Sequence, residues 1–272
     1  MKKRFIILID FSEYSGNLLK YACDWNKHVN AELLLVHQTT VLAPVFTDYD
    51  RKKSIAEQGN DEALQKLKAL AKRLIPPTVK VSYCVSESNL EITLPKLLEE
   101  AYENLIFVGL KGTGFLKKIF IGSVALEVID NIKSIVVAMP REIATFSHEK
   151  IFVAVTEKHP LNLLELNNFL ELIDKKNTRI TFFYLSKPNE KTIGTEKLLR
   201  DLSELFAERF TTTFAIYEGS NPFDDIKKVI NNKIDEMLIV QKGSRHLTDQ
   251  LFRKFLINEL VYEGQTPLVI LP

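Results

Sequence analysis

Two places in this 272-residue chain gather residue types that could hold a phosphate-bearing ligand. The β-branched, apolar run Phe5–Ile9 ends in Asp10-Phe11-Ser12, which sets a carboxylate at a strand tip and a hydroxyl suited to capping the next helix. A second run, Asn104–Val108, ends in Gly109-Leu110-Lys111-Gly112-Thr113-Gly114 and continues to Gly122-Ser123, just before a helix over Val124–Ile129. Glycines let a backbone approach phosphate closely and adopt positive φ. Gly122 and Ser123 open a helix, where unpaired N–H groups and the dipole favour negative charge, and the Ser123 hydroxyl adds a donor. On glycine content alone the same residues serve equally well to end a strand and turn the chain.

Other chemistries find little support. Neither the G-x4-G-K-[ST] loop nor a G-x-G-x-x-G after the first strand is present. The histidines His28, His37, His148, His159 and His246 lack metal-ligand spacing. His37, closing the second strand, reads as a packing or hydrogen-bonding residue rather than a base. No G-x-S-x-G elbow occurs, and neither cysteine has a histidine partner in a local motif. Asp10 with Ser123 would suit a kinase or ATPase, but no second acidic residue at a strand tip completes a Mg²⁺ pair. The expectation is a site that holds phosphate with little or no hydrolysis, in a protein that is not an enzyme.

Positioning these residues requires a sheet. In the first half the predicted strands are Phe5–Ile9, Glu32–His37, Val79–Val85, Asn104–Val108 and Ser134–Met139. Helical faces lie between them, Leu18 with Ala22 and Trp25, and Leu64 with Leu67, Ala71 and Leu74. Apolar strands separated by helices indicate an α/β fold with a parallel sheet covered on both faces. Such sheets bind ligands beyond the strands' carboxyl ends, where the strand order reverses. The second half repeats the order with Ile151–Val155, Arg179–Tyr184, Thr211–Tyr217, Met237–Val240 and Pro267–Leu271, and with helices from about Leu161, about Glu196, Pro222 and about Phe255. An offset of 132 residues sets Leu105–Val108 on Met237–Val240, and an offset of 146 aligns the N-terminal ends, so the second copy is 14 residues shorter. The segment from Thr39 to about Lys53 is where most of that length is expected to be missing. The repeat favours two domains, 1–142 and 149–272, over one ten-stranded domain.

At this point the chain resembles a known family. Gly109-x2-Gly112-x9-Gly122-Ser123 matches the G-x2-G-x9-G-[ST] signature of ATP-binding universal stress proteins, and Asp10-Phe11-Ser12 is similar to that family's first strand end. The resemblance covers the first half. It implies two tandem Rossmann-like domains, each an open five-stranded parallel sheet with helices on both faces. It also implies an adenine nucleotide, ATP with or without Mg²⁺, or AMP or another adenylate. Asp10 would lie near the ribose or adenine, and Val108, Gly109 and Gly112 would admit ribose and phosphates. Gly122, Ser123 and the Val124 amide would hold the phosphate chain, and Gln38 would line the adenine pocket. Two departures stand out: a polar residue at Gln38, and Ala125 where ATP-binding members often carry a hydroxyl. Lys117 and Lys118 either steady the triphosphate or form a solvated face. In the second half Thr156 replaces Asp10, while Gln241, Ser244, Lys254 and Phe255 replace Gly109, Gly112, Gly122 and Ser123. Only Gly243 remains nearby, out of register, so this copy is not expected to bind ATP.

Bulk properties agree with this reading. Apolar residues make up 46% and charged residues 26%, and the formal net charge is +1. That near-neutrality argues against a nucleic-acid or membrane-surface protein held by bulk charge. The basic start is followed by an apolar run of only five residues, too short for a secretory segment, so a cytoplasmic location is expected. Cys23 and Cys84 read as reduced thiols in apolar segments. The expected partners are the nucleotide and a regulatory protein that reads its occupancy. The two halves are expected to pair through their final strands as an internal pseudo-dimer, with a homodimer also open. The alternative function is an interaction module with a vestigial, empty site.

Overall fold

The structure is a computed structural model and describes residues 1–40, 48–110, 123–141, 143–156, 160–218, 236–242 and 266–272. Sixteen elements follow in chain order: β1 (Lys2–Leu8), α1 (Ser15–Val29), β2 (Glu32–Gln38), α2 (Tyr49–Leu74), β3 (Val81–Ser86), α3 (Leu90–Leu98), β4 (Tyr102–Gly109), α4 (Ser123–Asn131), β5 (Ile135–Met139), β6 (Lys150–Ala154), α5 (Leu163–Leu170), β7 (Arg179–Ser186), α6 (Ile193–Phe206), β8 (Thr211–Glu218), β9 (Glu236–Gln241) and β10 (Leu268–Leu271). All ten strands expected from the sequence are present with ends shifted by a few residues. The helices expected from Pro222 and near Phe255 lie outside the described residues, as do Gly112, Lys117, Lys118 and Gly122.

The strands form one sheet in the order β3-β2-β1-β4-β5-β10-β9-β6-β7-β8. Within each half every pairing is parallel, and the order 3-2-1-4-5 is repeated as 8-7-6-9-10. Arg4 stands opposite Asn104 in the first half, and Lys150 opposite Glu236 in the second, which reproduces both sequence offsets. The halves meet where β5 and β10 run antiparallel, with Val137 opposite Val269. The two α/β units are therefore also one ten-stranded sheet.

Alternating strand residues fill two cores, one on each face. Phe5, Ile7, Leu33, Leu35, Leu105, Phe107 and Val137 point to the side covered by α1 and α2, and Val153, Phe182, Ile239 and Val269 continue that core under α5 and α6. Ile6, Leu34, Ile106, Val136, Leu238 and Ile270 point to the other side, which α3 and α4 cover in the first half. Both cores cross the junction between halves.

The second copy is shorter chiefly because its helix after the second strand is shorter. The helix α2 has 26 residues and α6 has 14. At the 132 offset the C-terminal ends of the two helices coincide, so the extra residues of α2 run from Tyr49 to Asn60, overlapping the segment from Thr39 to about Lys53 read from the sequence and extending beyond it. An Asp48 cap starts α2, its side chain accepting from the Arg51 amide. The added turns are mostly polar and bury Ala56.

The segment after β5 docks onto α1. Phe146 stacks on Trp25 with ring centroids 4.5 Å apart and planes 12° apart, and its amide donates to Asp24 Oδ2 at 3.0 Å. Trp25 Nε1 donates to the Leu172 carbonyl of the second half at 2.8 Å. The indole is thus wedged between both halves and the linker. Replacing Phe146 by alanine should cost about 3 kcal/mol or more, the usual loss for a buried phenylalanine. Urea denaturation followed by circular dichroism measures it, and a loss below about 1 kcal/mol would contradict this account of the junction.

Candidate functional site

The N-terminal half reverses its strand order at β1, which has β2 on one side and β4 on the other. The crevice beyond their carboxyl ends is therefore bordered by Asp10, by His37 and Gln38, and by Gly109. The topology brings these four together from three strands, as a ligand site in an open sheet requires.

The tip of β1 is a tightly tied turn. Asp10 Oδ1 accepts from the Ser12 amide at 2.9 Å and from the Ser15 hydroxyl at 2.8 Å. These bonds hold Phe11 in the left-handed region at φ 56°, a conformation that costs an L-residue about 1–2 kcal/mol. Its ring packs on His37 with centroids 4.4 Å apart. Ser12 does not cap α1 through its side chain, contrary to the sequence expectation. The helix begins at Ser15 after Tyr14, without a side-chain cap bond, because the Asp10 carboxylate has already bent the chain and engages Ser15 itself.

His37 Nδ1 lies 2.6 Å from the Ile9 carbonyl oxygen. A carbonyl only accepts, so Nδ1 carries the proton and the ring bolts β2 to β1. This is the hydrogen-bonding role read from the sequence. Gln38 Nε2 donates to Asn89 Oδ1 at 3.1 Å. The neighbouring Thr39 hydroxyl donates to Asn60 at 2.6 Å, and Asn60 donates to Glu87 at 2.8 Å. Lys66 of α2 sits 6.0 Å from the Phe11 ring centroid. Asn60, Lys66, Glu87 and Asn89 were not legible as site-bordering residues, since only the packing of α2 and the β3–α3 turn brings them there.

Gly109 is exposed at the end of β4. Its φ is not positive, and among the described residues a Cβ added there would meet Leu18 Cδ2 at 3.9 Å, an ordinary contact. Val108 is buried in the core, so only its backbone reaches the crevice. The helix α4 starts at Ser123, and Val124, 43% exposed in its first turn, presents backbone amides that the helix cannot satisfy. Ala125 is 2% exposed and packs in the core beside Val128 and Ile129. A hydroxyl at that position would be turned into the core.

In the second half a side chain bridges the corresponding strand tips. Gln241, standing where Gly109 does, accepts from the Asn162 amide at 2.9 Å and donates to the Pro272 carbonyl at 2.6 Å. It ties the tip of β9 to the start of α5 and to the chain beyond β10. Thr156, in place of Asp10, is exposed. Ser244, Lys254, Phe255 and Gly243 lie outside the described residues.

Among the described residues no cluster of His, Cys, Asp or Glu could hold a metal ion, and no helix is long and apolar enough to cross a membrane. Both thiols are free. Burial raises the Cys23 thiol to about 11 and moves Cys84 in the same direction, so neither is an activated nucleophile.

Comparison with known proteins bears on the whole chain. The universal stress protein family model matches residues 1–140. No curated protein matches the sequence. Among solved structures, a universal stress protein from Archaeoglobus fulgidus DSM 4304 is 19% identical with a TM-score of 0.69, over 98% of this chain and 97% of that one. A putative universal stress protein from Pseudomonas aeruginosa UCBPP-PA14 is 14% identical with a TM-score of 0.58, over 99% and 93%. The cytoplasmic domain of a prokaryotic cation chloride cotransporter is 12% identical with a TM-score of 0.52, over 99% and 95%. At these identities the likeness is one of fold, and it extends through both halves. With just over half of its residues matched by the family model, and the strand order of the matched half repeated in the other, this chain belongs to the universal stress protein family.

Proposed function

We propose that the N-terminal half holds one adenine nucleotide, ATP, between the tip of β1 and the connection from β4 to α4, and that the protein acts as a nucleotide-dependent stress-response regulator. Gly109 is the observation that carries this reading. A glycine inside a strand sacrifices stability, and here neither backbone conformation nor crowding by the described residues requires it. What a side chain would obstruct is the open crevice itself. The Phe11 backbone points the same way, because strain at a strand tip is retained where it shapes a functional turn. The bound nucleotide would have its ribose and base near Asp10 and Gln38. Its phosphates would approach Gly109, Gly112, Gly122 and the Ser123–Val124 end of α4. The C-terminal half, with Gln241 across its crevice, would hold no nucleotide and serve as the fixed partner of the first. A regulatory protein would read the occupied surface.

A nucleotide-free interaction module is the second reading. Gln38 favours it, since its amide is already bonded to Asn89 where the base would lie. Titration separates the two. Gly109→Val should keep the fold and its stability, since valine suits a strand end with room for its Cβ. Nucleotide affinity should fall at least tenfold, about 1.4 kcal/mol. Calorimetry should give one site per chain in the wild type. No binding would support the second reading, and two sites per chain or equal binding by the variant would rule out this assignment of the site.

Turnover should be slow or absent. Phosphoryl transfer depends on a positioned metal and nucleophile. The described carboxylates at the crevice, Asp10 and Glu87, each accept hydrogen bonds within the chain and belong to no metal-holding cluster among the described residues. Phosphate release with excess Mg²⁺ should stay far below roughly 1 per second, the low end of ordinary enzymes. A rate at or above that value would show a catalyst instead of a holder.

A further inference from the structure

The junction between the halves contains a mostly buried histidine. His148 lies on the linker, two residues beyond the Phe146 that stacks on Trp25, and is 9% exposed. Its Nδ1 is 2.8 Å from Thr178 Oγ1, and that hydroxyl donates to the Asp174 carbonyl at 2.6 Å. With its proton committed, the Thr178 oxygen must accept, so Nδ1 of His148 is the protonated nitrogen and Nε2 is the one left to gain a proton. The rest of the ring faces Phe146 at 5.2 Å and His28 at 5.7 Å, measured between centroids. His28 is at the C-terminal end of α1 and also borders Phe146, at 5.9 Å. One aromatic cluster thus joins α1, the linker and the start of the second half, and it contains two imidazoles.

We propose that His148 and His28 form an acid-sensitive latch between the two halves, closed while His148 is neutral and loosened when it is protonated. Protonation would put a cation in a mostly buried, aromatic-lined site beside a second imidazole. Desolvation is the first cost and His28 the second, and together they hold the His148 pKa below the ordinary 6.5. Asp174, from the turn after α5, and Glu149, next in the chain, pull the other way without prevailing. Of the charges on α1, Asp24 and Lys27 pair with each other at 2.7 Å, and Lys20 lies nearer the start of the helix. Asp24 also accepts from the Phe146 amide. Partial burial pushes Asp24 up, but the hydrogen bonds from Lys27 and Phe146 outweigh it and leave its pKa below the usual carboxylate value.

The direction of the effect follows from linkage. The released linker binds a proton at His148 more tightly than the docked one does, so docking is fully favoured above about pH 6.5 and weakens as pH falls below it. Each pH unit by which docking depresses His148 shifts the docked-to-released equilibrium tenfold. Asp24 acts in a separate window. Its depressed pKa supports docking above the carboxylate range and is lost only as pH falls through that range, near and below about 4.

Trp25 is the sole tryptophan of the chain, so its emission reports this junction directly. Acrylamide quenching of the full-length protein should increase between pH 7.5 and 5.5 in the wild type. In His148→Gln, whose amide can still donate to Thr178 but gains no charge, quenching should stay flat over that range. His28→Gln should show a smaller increase than the wild type, because the second imidazole that helps hold the His148 pKa down is gone. Superimposable profiles for the wild type and His148→Gln would overturn the proposal. Should His148→Gln fail to fold, titration of the His148 ring C–H resonance in the wild type decides instead. A midpoint below 6.5 supports the latch, and one at or above 6.5 overturns it.

Discussion

A parallel sheet that grows outward from its first strand ends in a strand whose outer N–H and C=O groups have no partner. In this chain the last strand of each half, β5 and β10, is buried on both faces, so water cannot satisfy those groups at low cost. The two edges satisfy each other. Antiparallel pairing of Val136–Ala138 with Leu268–Ile270 completes both ladders and lets the cores above and below run through the junction. Around it, Lys242 of the second half donates to the Asp130 carbonyl of α4, and Trp25 of the first half donates to Leu172 of the second. Two repeats with unequal sites therefore share one sheet.

That sharing explains how the second repeat can diverge at its strand tips without losing its fold. The strand interiors Met237–Ile239 and Leu268–Leu271 stay apolar and buried because the first half depends on them. The crevice beyond them carries no such constraint. Gln241 turns the strand tip into a structural tie between α5 and the chain after β10, where Gly109 leaves the equivalent place open. The shorter α6 lacks the added turns at the start of α2, which carry Asn60 to its hydrogen bond with Thr39 beside the first crevice.

The first half accepts local costs in the corresponding place. Phe11 is held left-handed by the Asp10 turn and the His37 ring, and Gly109 gives up the stability a side chain would add to β4. Both sit at strand tips, away from the core. The buried strand interiors tolerate these costs because they are stabilised independently, by side chains the crevice does not use.

Amino-acid order alone determined much of this. Ten strands, the α/β class and the internal repeat were legible because buried parallel strands must be short apolar runs, and because Leu105–Val108 and Met237–Val240 can be laid over each other. Strand ends and a helix start marked Asp10, Gly109 and Ser123 as element boundaries, and the family resemblance alone singled out Gln38. Tertiary structure decided what depends on neighbours distant in sequence. Only packing shows that Ser12 leaves the start of α1 to Ser15, that Ala125 faces the core, and that Val108 turns its side chain away from the crevice. Asn60, Lys66 and Asn89 reach the border of the crevice only because α2 and the β3–α3 turn fold over the strand tips. His148 looked ordinary as a residue in a polar linker. Its burial between His28 and Thr178 exists only once β5 and β10 have joined the halves, because a side chain's electrostatic environment is set by whatever the fold brings beside it.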